Sequence, residues 1–370
     1  MQDAAVMQLF SYQIQAVDWL SDHPKAFLAL EQGLGKTAVS ATEMQTPALV
    51  VCPASLKLNW EREINAWRPE LSVHVIHKAA DQIADADVVI VNYDILGKVQ
   101  PRLKPVMTVI FDESHYLKTA TAKRTKIATR IIRSTPRVRL LSGTPVVNRP
   151  IELFPMLKAI GAIKLDWLNF GRRYCKGWQT PWGSWDMSGA SNLEDLYSKL
   201  QPHMLRLRKE QVLTELPPKR YRVIELDLPV SSREKKLVRH DIERPEHSVA
   251  FEAIGDILKM NAQRKLPLAI EYIKDALEYE DKIVVFAWHT EIIRELENAL
   301  HDYAPRTITG ATKIQARQDA VDEFQKGECR VIIGNIKAAG VGLTLTAASR
   351  VIFVESTWSP ADIEQASDRC

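Results

Sequence analysis

Six runs of four or five mostly apolar, often β-branched residues punctuate the first part of the chain, at 26–30, 48–52, 73–76, 88–92, 108–111 and 138–141. Their lack of strict alternation predicts strands buried on both faces, as in a parallel sheet. Between the second and third runs, Trp60, Ile64 and Trp67 recur at i, i+4 and i+7. They mark the apolar core face of a helix over 55–67, with Ser55 placed as its N-cap. Strands alternating with helices in this way predict a layered α/β domain over 1–150. The rhythm breaks over 151–216, where helical text surrounds a loop carrying Trp178, Trp182 and Trp185 among Gly177, Gly183 and Gly189. That segment reads as a helical insertion at the end of the first lobe. Leu216-Pro217-Pro218-Lys219 opens a stiff linker over 217–235. A second α/β series fills 236–370, with strands at 283–287, 307–309, 331–334 and 351–354 and a helix over 291–300.

A chain of 370 residues, 46% apolar and 26% charged, has the material for two or three cored domains and excludes a disordered or fibrous protein. No apolar run reaches the roughly 18 residues a membrane span needs. The first residues lack the basic-then-apolar order of a signal peptide. Cys52, Cys175, Cys329 and Cys370 lie far apart with no CxxC pair, which argues against a disulfide framework or a zinc ribbon. An intracellular, reduced setting is expected, with a bacterial or infected-host cytoplasm and a nucleus all compatible. The formal charge of +3 names no partner, but it is segregated. Residues 118–139 hold eight cations and no acid, and 199–222 hold seven cations against two acids, leaving the rest of the chain at −10. Segregation of this kind is expected of a groove for a polyanion.

The chemistry is concentrated at two strand ends. After the first strand comes Glu31-Gln32-Gly33-Leu34-Gly35-Lys36-Thr37, followed by helix-forming residues. A strand, a glycine turn and a helix beginning at Lys-Thr form a phosphate cradle of Gly33, Leu34, Gly35, Lys36 and Thr37. Lys36 is expected on the β and γ phosphates of ATP and Thr37 on Mg²⁺. The strict GxxxxGK[ST] spacing is not met, because Leu30 stands at its first glycine. The fifth strand delivers Asp112 and Glu113 to the same carboxyl edge, where open α/β sheets bind ligands. Asp112 is expected to hold Mg²⁺, and Glu113 to orient and deprotonate the attacking water. His74 and His77 have no third ligand nearby, so no metal is expected there.

With these residues in place, the chain resembles the superfamily 2, helicase-like ATPases of the Swi/Snf type. Gly33 to Thr37, Asp112 to His115 and Leu141-Ser142-Gly143-Thr144-Pro145 are similar to motifs I, II and III. Tyr12-Gln13 looks like the adenine-reading Q motif, Val51-Cys52-Pro53-Ala54-Ser55-Leu56 like motif Ia, and Val91-Asn92-Tyr93 like the DNA-side motif that follows. The segment 205–219 resembles the stretch joining the family's lobes. Val284-Val285-Phe286 looks like motif IV, 338–348 (AAGVGLTLTAA) like motif V, and Gln365-Ala366-Ser367-Asp368-Arg369 like the start of motif VI. The stretches 182–193 (WGSWDMSGASNL) and 112–118 (DESHYLK) resemble the annealing-helicase, fork-remodelling branch.

The resemblance implies two RecA-like lobes with mainly parallel sheets. It adds Gln13 and Gly342 to the nucleotide site and Arg369 as a catalytic arginine. His115 is implied to couple the nucleotide site to the lobe interface. Ser55, Lys57, Asn92, Thr309, Gly310, Thr344 and Thr346 are candidate contacts to a DNA backbone, small or basic residues that position without reading sequence. The implied activity is DNA-dependent ATP hydrolysis that drives translocation on, or remodelling of, duplex or forked DNA. A nucleotide-gated DNA clamp and an RNA-directed superfamily 2 ATPase are the alternatives. The family's motif VI runs on to a second arginine, whereas this sequence stops at Cys370. The expectation is therefore a truncated piece that hydrolyses ATP poorly.

Overall fold

The computed structural model describes residues 8–143, 149–213, 215, 219–225, 247–339, 343, 345–355, 357, 360–368 and 370. Two compact units divide the chain, Met1–Leu216 and Pro217–Cys370. In the first, α1 (Ser11–Asp22) leads to β1 (Lys25–Leu30), α2 (Lys36–Glu43), β2 (Ala48–Cys52), α3 (Lys57–Trp67), β3 (Val73–Val75) and β4 (Val88–Asn92). Then come α4 (Tyr93–Val99), β5 (Thr108–Phe111), α5 (Lys123–Ser134) and β6 (Arg137–Leu141). Each strand lies within a residue of its expected apolar run. Every residue of β2, β4 and β5 is buried, which is why these strands read as unbroken apolar text.

Among the described residues, seven strands form one wholly parallel sheet in the order β3-β4-β2-β5-β6-β1-β9. The seventh, β9 (Met204–Leu207), falls inside the segment expected to be helical insertion and joins β1 with Leu28 opposite Leu205 and Leu30 opposite Leu207. Helices Phe154–Ile160, Trp167–Tyr174 and Leu193–Leu200 do occupy that segment, together with an antiparallel hairpin of β7 (Trp178–Gln179) and β8 (Trp185–Asp186). Arg172 lies over Trp185 at 4.8 Å, while Trp182 near the tip is 90% exposed.

Two further expectations change. Ser55 sits inside a 3₁₀ turn, Ala54–Leu56, and makes no capping bond to α3, which begins at Lys57. The basic run 118–139 is not all surface. Lys123, Arg124, Lys126, Arg130 and Arg133 are exposed on α5, but Arg139 is fully buried. Its guanidinium grips Glu43 at 2.7 and 2.8 Å and donates to the carbonyls of Leu20, His23, Pro24 and Val138. Arg137 pairs with the same carboxylate at 2.5 Å. These two cations bind α1, α2 and β6 together and are unavailable to a polyanion.

The second unit carries a parallel four-stranded sheet among its described residues, β11-β12-β10-β13, from β10 (Ile283–Ala287), β11 (Arg306–Ile308), β12 (Val331–Asn335) and β13 (Arg350–Phe353). Alternate residues of β10 serve two cores. Ile283, Val285 and Ala287 pack with Ile292, Ile293 and Leu296 of the helix Thr290–Ala299, and Val284 and Phe286 pack with Val321 and Phe324 of the helix Ile314–Lys326. A long helix, His247–Ala276, adds Ala262, Leu266 and Ile273 to the first of these cores. Among the described residues, no helix is long and apolar enough to cross a membrane.

Candidate nucleotide-binding site

The glycine loop leaves β1 at its carboxyl end and runs directly into α2. Gly33 and Gly35 hold φ of 83° and 77°, a left-handed conformation that costs glycine nothing and most other residues about 1 kcal/mol or more. Gly35 is the residue before α2, so the first-turn N–H groups of that helix, which have no partner within it, face the loop. From α1, the buried Gln13 donates its amide to the Leu34 carbonyl at 3.2 Å and accepts from the Phe10 N–H at 2.9 Å. Its amide fills the space a Cβ on Gly35 would need. Gln13 therefore braces the loop. Lys36 folds back, its Nζ donating to the carbonyls of Leu30 at 3.0 Å and Glu31 at 3.3 Å and lying 3.5 Å from Gln32 Oε1. Gln32 also covers Gly143, just beyond β6. Thr37 is half-buried on the first turn of α2.

Only β6 separates β1 from β5, so at about 4.8 Å per strand the two carboxyl ends lie roughly 10 Å apart on one edge. Asp112 is anchored there on every side. Its N–H donates to the Val51 carbonyl at 2.8 Å, and its own carbonyl accepts the Tyr93 hydroxyl at 2.7 Å. Oδ1 accepts the Glu113 N–H and Oδ2 the Trp60 indole N–H, both at 2.9 Å. Burial first, then the Glu113 charge, pushes the Asp112 carboxyl up to about 6, while the Trp60 bond and the Lys36 ammonium pull it down. Lys36 thus lies close enough to act on Asp112 electrostatically. Glu113 holds φ of 47°, the left-handed strain often found where a side chain is aimed for function. Its Oε2 is 3.3 Å from His115 Nδ1. Burial, then the Asp112 charge, raises the Tyr93 hydroxyl well above its ordinary range, so it stays a donor.

The structure thus gathers Gln13, Gly33, Leu34, Gly35, Lys36, Thr37, Asp112 and Glu113 at one sheet edge. Trp60, expected only as core, is core and also a donor to Asp112. That second role had no local signal, because its partner lies 52 residues away. Lys57 and Asn92, expected on a DNA-facing surface, are 3% and 6% exposed. The Lys57 Nζ donates to the Ile76 carbonyl at 2.9 Å and to Asn92 Oδ1 at 3.3 Å. Both side chains are thus engaged within the fold, tying the start of α3 to the end of β4. Ser55 is half-buried nearby. In the second unit Thr309 and Gly310 form a turn stapled by Arg317, which donates to the carbonyls of Thr309 at 2.8 Å and Thr312 at 2.9 Å. Thr346 is exposed and accepts from the Gln325 amide at 3.3 Å. Thr144, Pro145, Gly342, Thr344 and Arg369 lie outside the described residues. Asp368, the neighbour of Arg369, is buried against the Lys219 ammonium.

Known proteins resemble this chain along most of its length. The SNF2-related domain matches residues 12–266, and the helicase conserved C-terminal domain matches 265–370. The human DNA annealing helicase and endonuclease ZRANB3 is 35% identical over 95% of this chain, which spans 35% of that protein. The SWI/SNF-related matrix-associated actin-dependent regulator of chromatin subfamily A-like protein 1 of Xenopus tropicalis is 34% identical over 98% of this chain and 41% of its own length. The chain therefore spans well under half the length of these two relatives. A solved Sulfolobus solfataricus SWI2/SNF2 ATPase core in complex with dsDNA has the same fold, with a TM-score of 0.50 and 21% identity over 94% of this chain and 82% of that one. With the loop, the paired carboxylates and both parallel sheets in place, the chain belongs to the SNF2-related family of the helicase superfamily.

Proposed function

We propose that this chain is an ATP-driven motor that translocates on or remodels double-stranded or branched DNA. The observation that carries the reading is the placement of Asp112 and Glu113 on the sheet edge that holds the Gly33–Thr37 loop. Two adjacent buried carboxylates, one with its pKa raised, are chemically suited to a divalent cation that would relieve their repulsion. Magnesium-bound ATP, when held there, supplies the transferable phosphoryl group and neutralises part of its charge. Thr37 and Asp112 are the residues suited to the metal. Lys36 would exchange its carbonyl partners for phosphate oxygens, and Glu113 would hold and deprotonate the water. Arg369 is the proposed cationic contribution of the second unit. Ser55, Thr309, Gly310, Thr344 and Thr346 remain the proposed backbone contacts to DNA. The names of the relatives, an annealing helicase and a chromatin regulator, support DNA as the track, and the exposed cations of α5 suit its phosphates.

The test measures ATP turnover on duplex DNA, forked DNA and RNA, together with displacement of a triplex strand. Turnover stimulated by DNA and accompanied by displacement is expected. Lys36→Ala and Glu113→Gln should each abolish turnover, and Glu113→Gln should still bind ATP. Stimulation by RNA alone overturns the choice of track. DNA binding and hydrolysis without displacement overturn the motor in favour of a clamp. Normal turnover in either variant removes that residue's role.

A further inference from the structure

The segment that follows β9 lies along the glycine loop. The Glu31 N–H donates to the Leu207 carbonyl at 3.0 Å, and the Lys209 N–H donates back to Glu31 Oε2 at 2.8 Å. These bonds fix the main chain of Lys209 beside the start of the loop. Its side chain then crosses Gly33: a Cβ built on that glycine would meet Lys209 Cε at 3.4 Å and Nζ at 3.6 Å. Gly33 itself is exposed and Lys209 half-buried, and the ammonium lies within contact distance of the turn. Lys36 approaches the same turn from its base, through the Leu30 and Glu31 carbonyls.

We propose that Lys209 is a second phosphate-binding lysine of this site, taking the terminal phosphates of a nucleoside di- or triphosphate. The inference rests on reading the loop as the ATP site and adds to it a lysine from the segment that follows β9, the edge strand beside β1. The loop's N–H groups and the dipole of α2 already favour an anion. A lysine ammonium on a flexible stem needs only a small rotation to donate to phosphate oxygens there. A purely structural lysine would lay its methylenes on Gly33 and leave its charge in water. The two roles separate by phosphate number, because only an electrostatic contact depends on it.

The experiment titrates the whole chain with fluorescent ATP and ADP analogues, uses AMP as competitor, and measures the thermal midpoint of each variant. Lys209→Met should weaken ATP and ADP binding by about tenfold or more, the loss of one charge-assisted bond. AMP competition should hardly change, and the titrations are run at a temperature where the thermal midpoint shows each variant folded. Lys209→Arg should restore most of the affinity. Equal ATP affinity in wild type and Lys209→Met, or a loss that is the same for AMP, overturns the assignment. If that happens while Lys36→Ala loses binding, the ATP-site reading stands and only Lys209 is removed from it. A wild-type chain that binds neither analogue overturns both.

Discussion

Trp60→Phe tests how far the fold tunes the metal-side carboxylate. The substitution keeps an aromatic ring in the core but deletes the indole N–H that donates to Asp112 Oδ2 at 2.9 Å, with Trp60 fully buried. A hydrogen bond to a charged group contributes about 1.5–3 kcal/mol. At 1.36 kcal/mol per pKa unit, its loss should raise the Asp112 carboxyl by about 1–2 units. That carboxyl already stands at about 6, above the ordinary aspartate value. Its protonated form therefore favours the empty fold, and this advantage is lost as pH rises from about 4 through about 6. Metal binding needs the ionised form, so Mg²⁺-dependent turnover should fall as pH drops through that same upper value. A shift of about 1.5 units would lower the ionised fraction at pH 6.5 from roughly three-quarters to about a tenth. The assay is the pH profile of kcat/KM for Mg-ATP in both proteins, read between pH 5.5 and about 8.5. The acid limb should move upward in Trp60→Phe while the rates converge at the alkaline end. Coincident acid limbs would refute the argument, because the bond would then have no hold on the carboxylate.

Gly35→Ala should lower ATP affinity by about tenfold or more, since alanine disfavours the left-handed turn and its methyl displaces Gln13; a nucleotide titration reads this. Arg139→Met leaves Glu43 buried without its main partner and should cost about 3–5 kcal/mol in denaturant unfolding. The Glu43→Gln, Arg139→Met double variant should recover part of that loss. Lys57→Met should lower stability by about 1–3 kcal/mol, because the Asn92 and Ile76 oxygens lose a buried donor. At a temperature where the variant stays folded, its DNA affinity in a salt titration should match wild type.

Strands whose residues are all buried were legible because burial on both faces demands a run of apolar side chains, as in β2, β4 and β10. Strand β9 was missed for the opposite reason. At the sheet edge it sets Arg206 between Leu205 and Leu207, with Arg208 just beyond, and it is too short for that period to stand out beside the cations. The loop and the carboxylates were visible because their chemistry is local: glycines beside lysine, acids at a strand end. The burial of Lys57, Arg137 and Arg139 was not legible because sequence treats each charge as solvated, whereas most of their partners lie 19 to 119 residues away. For the same reason the Lys209 side chain on Gly33 could not be read from a linear text.

The stretch bearing the Trp182 hairpin is tethered at its two ends to β6 and β9, and those strands are the immediate neighbours of β1. A tug on that appendage converges from both sides on the strand that carries the glycine turn. β3, at the opposite margin, lies off that line of force. The hairpin's two tethers therefore end on the strands that flank the phosphate loop's own strand, and β3 is the strand farthest from them.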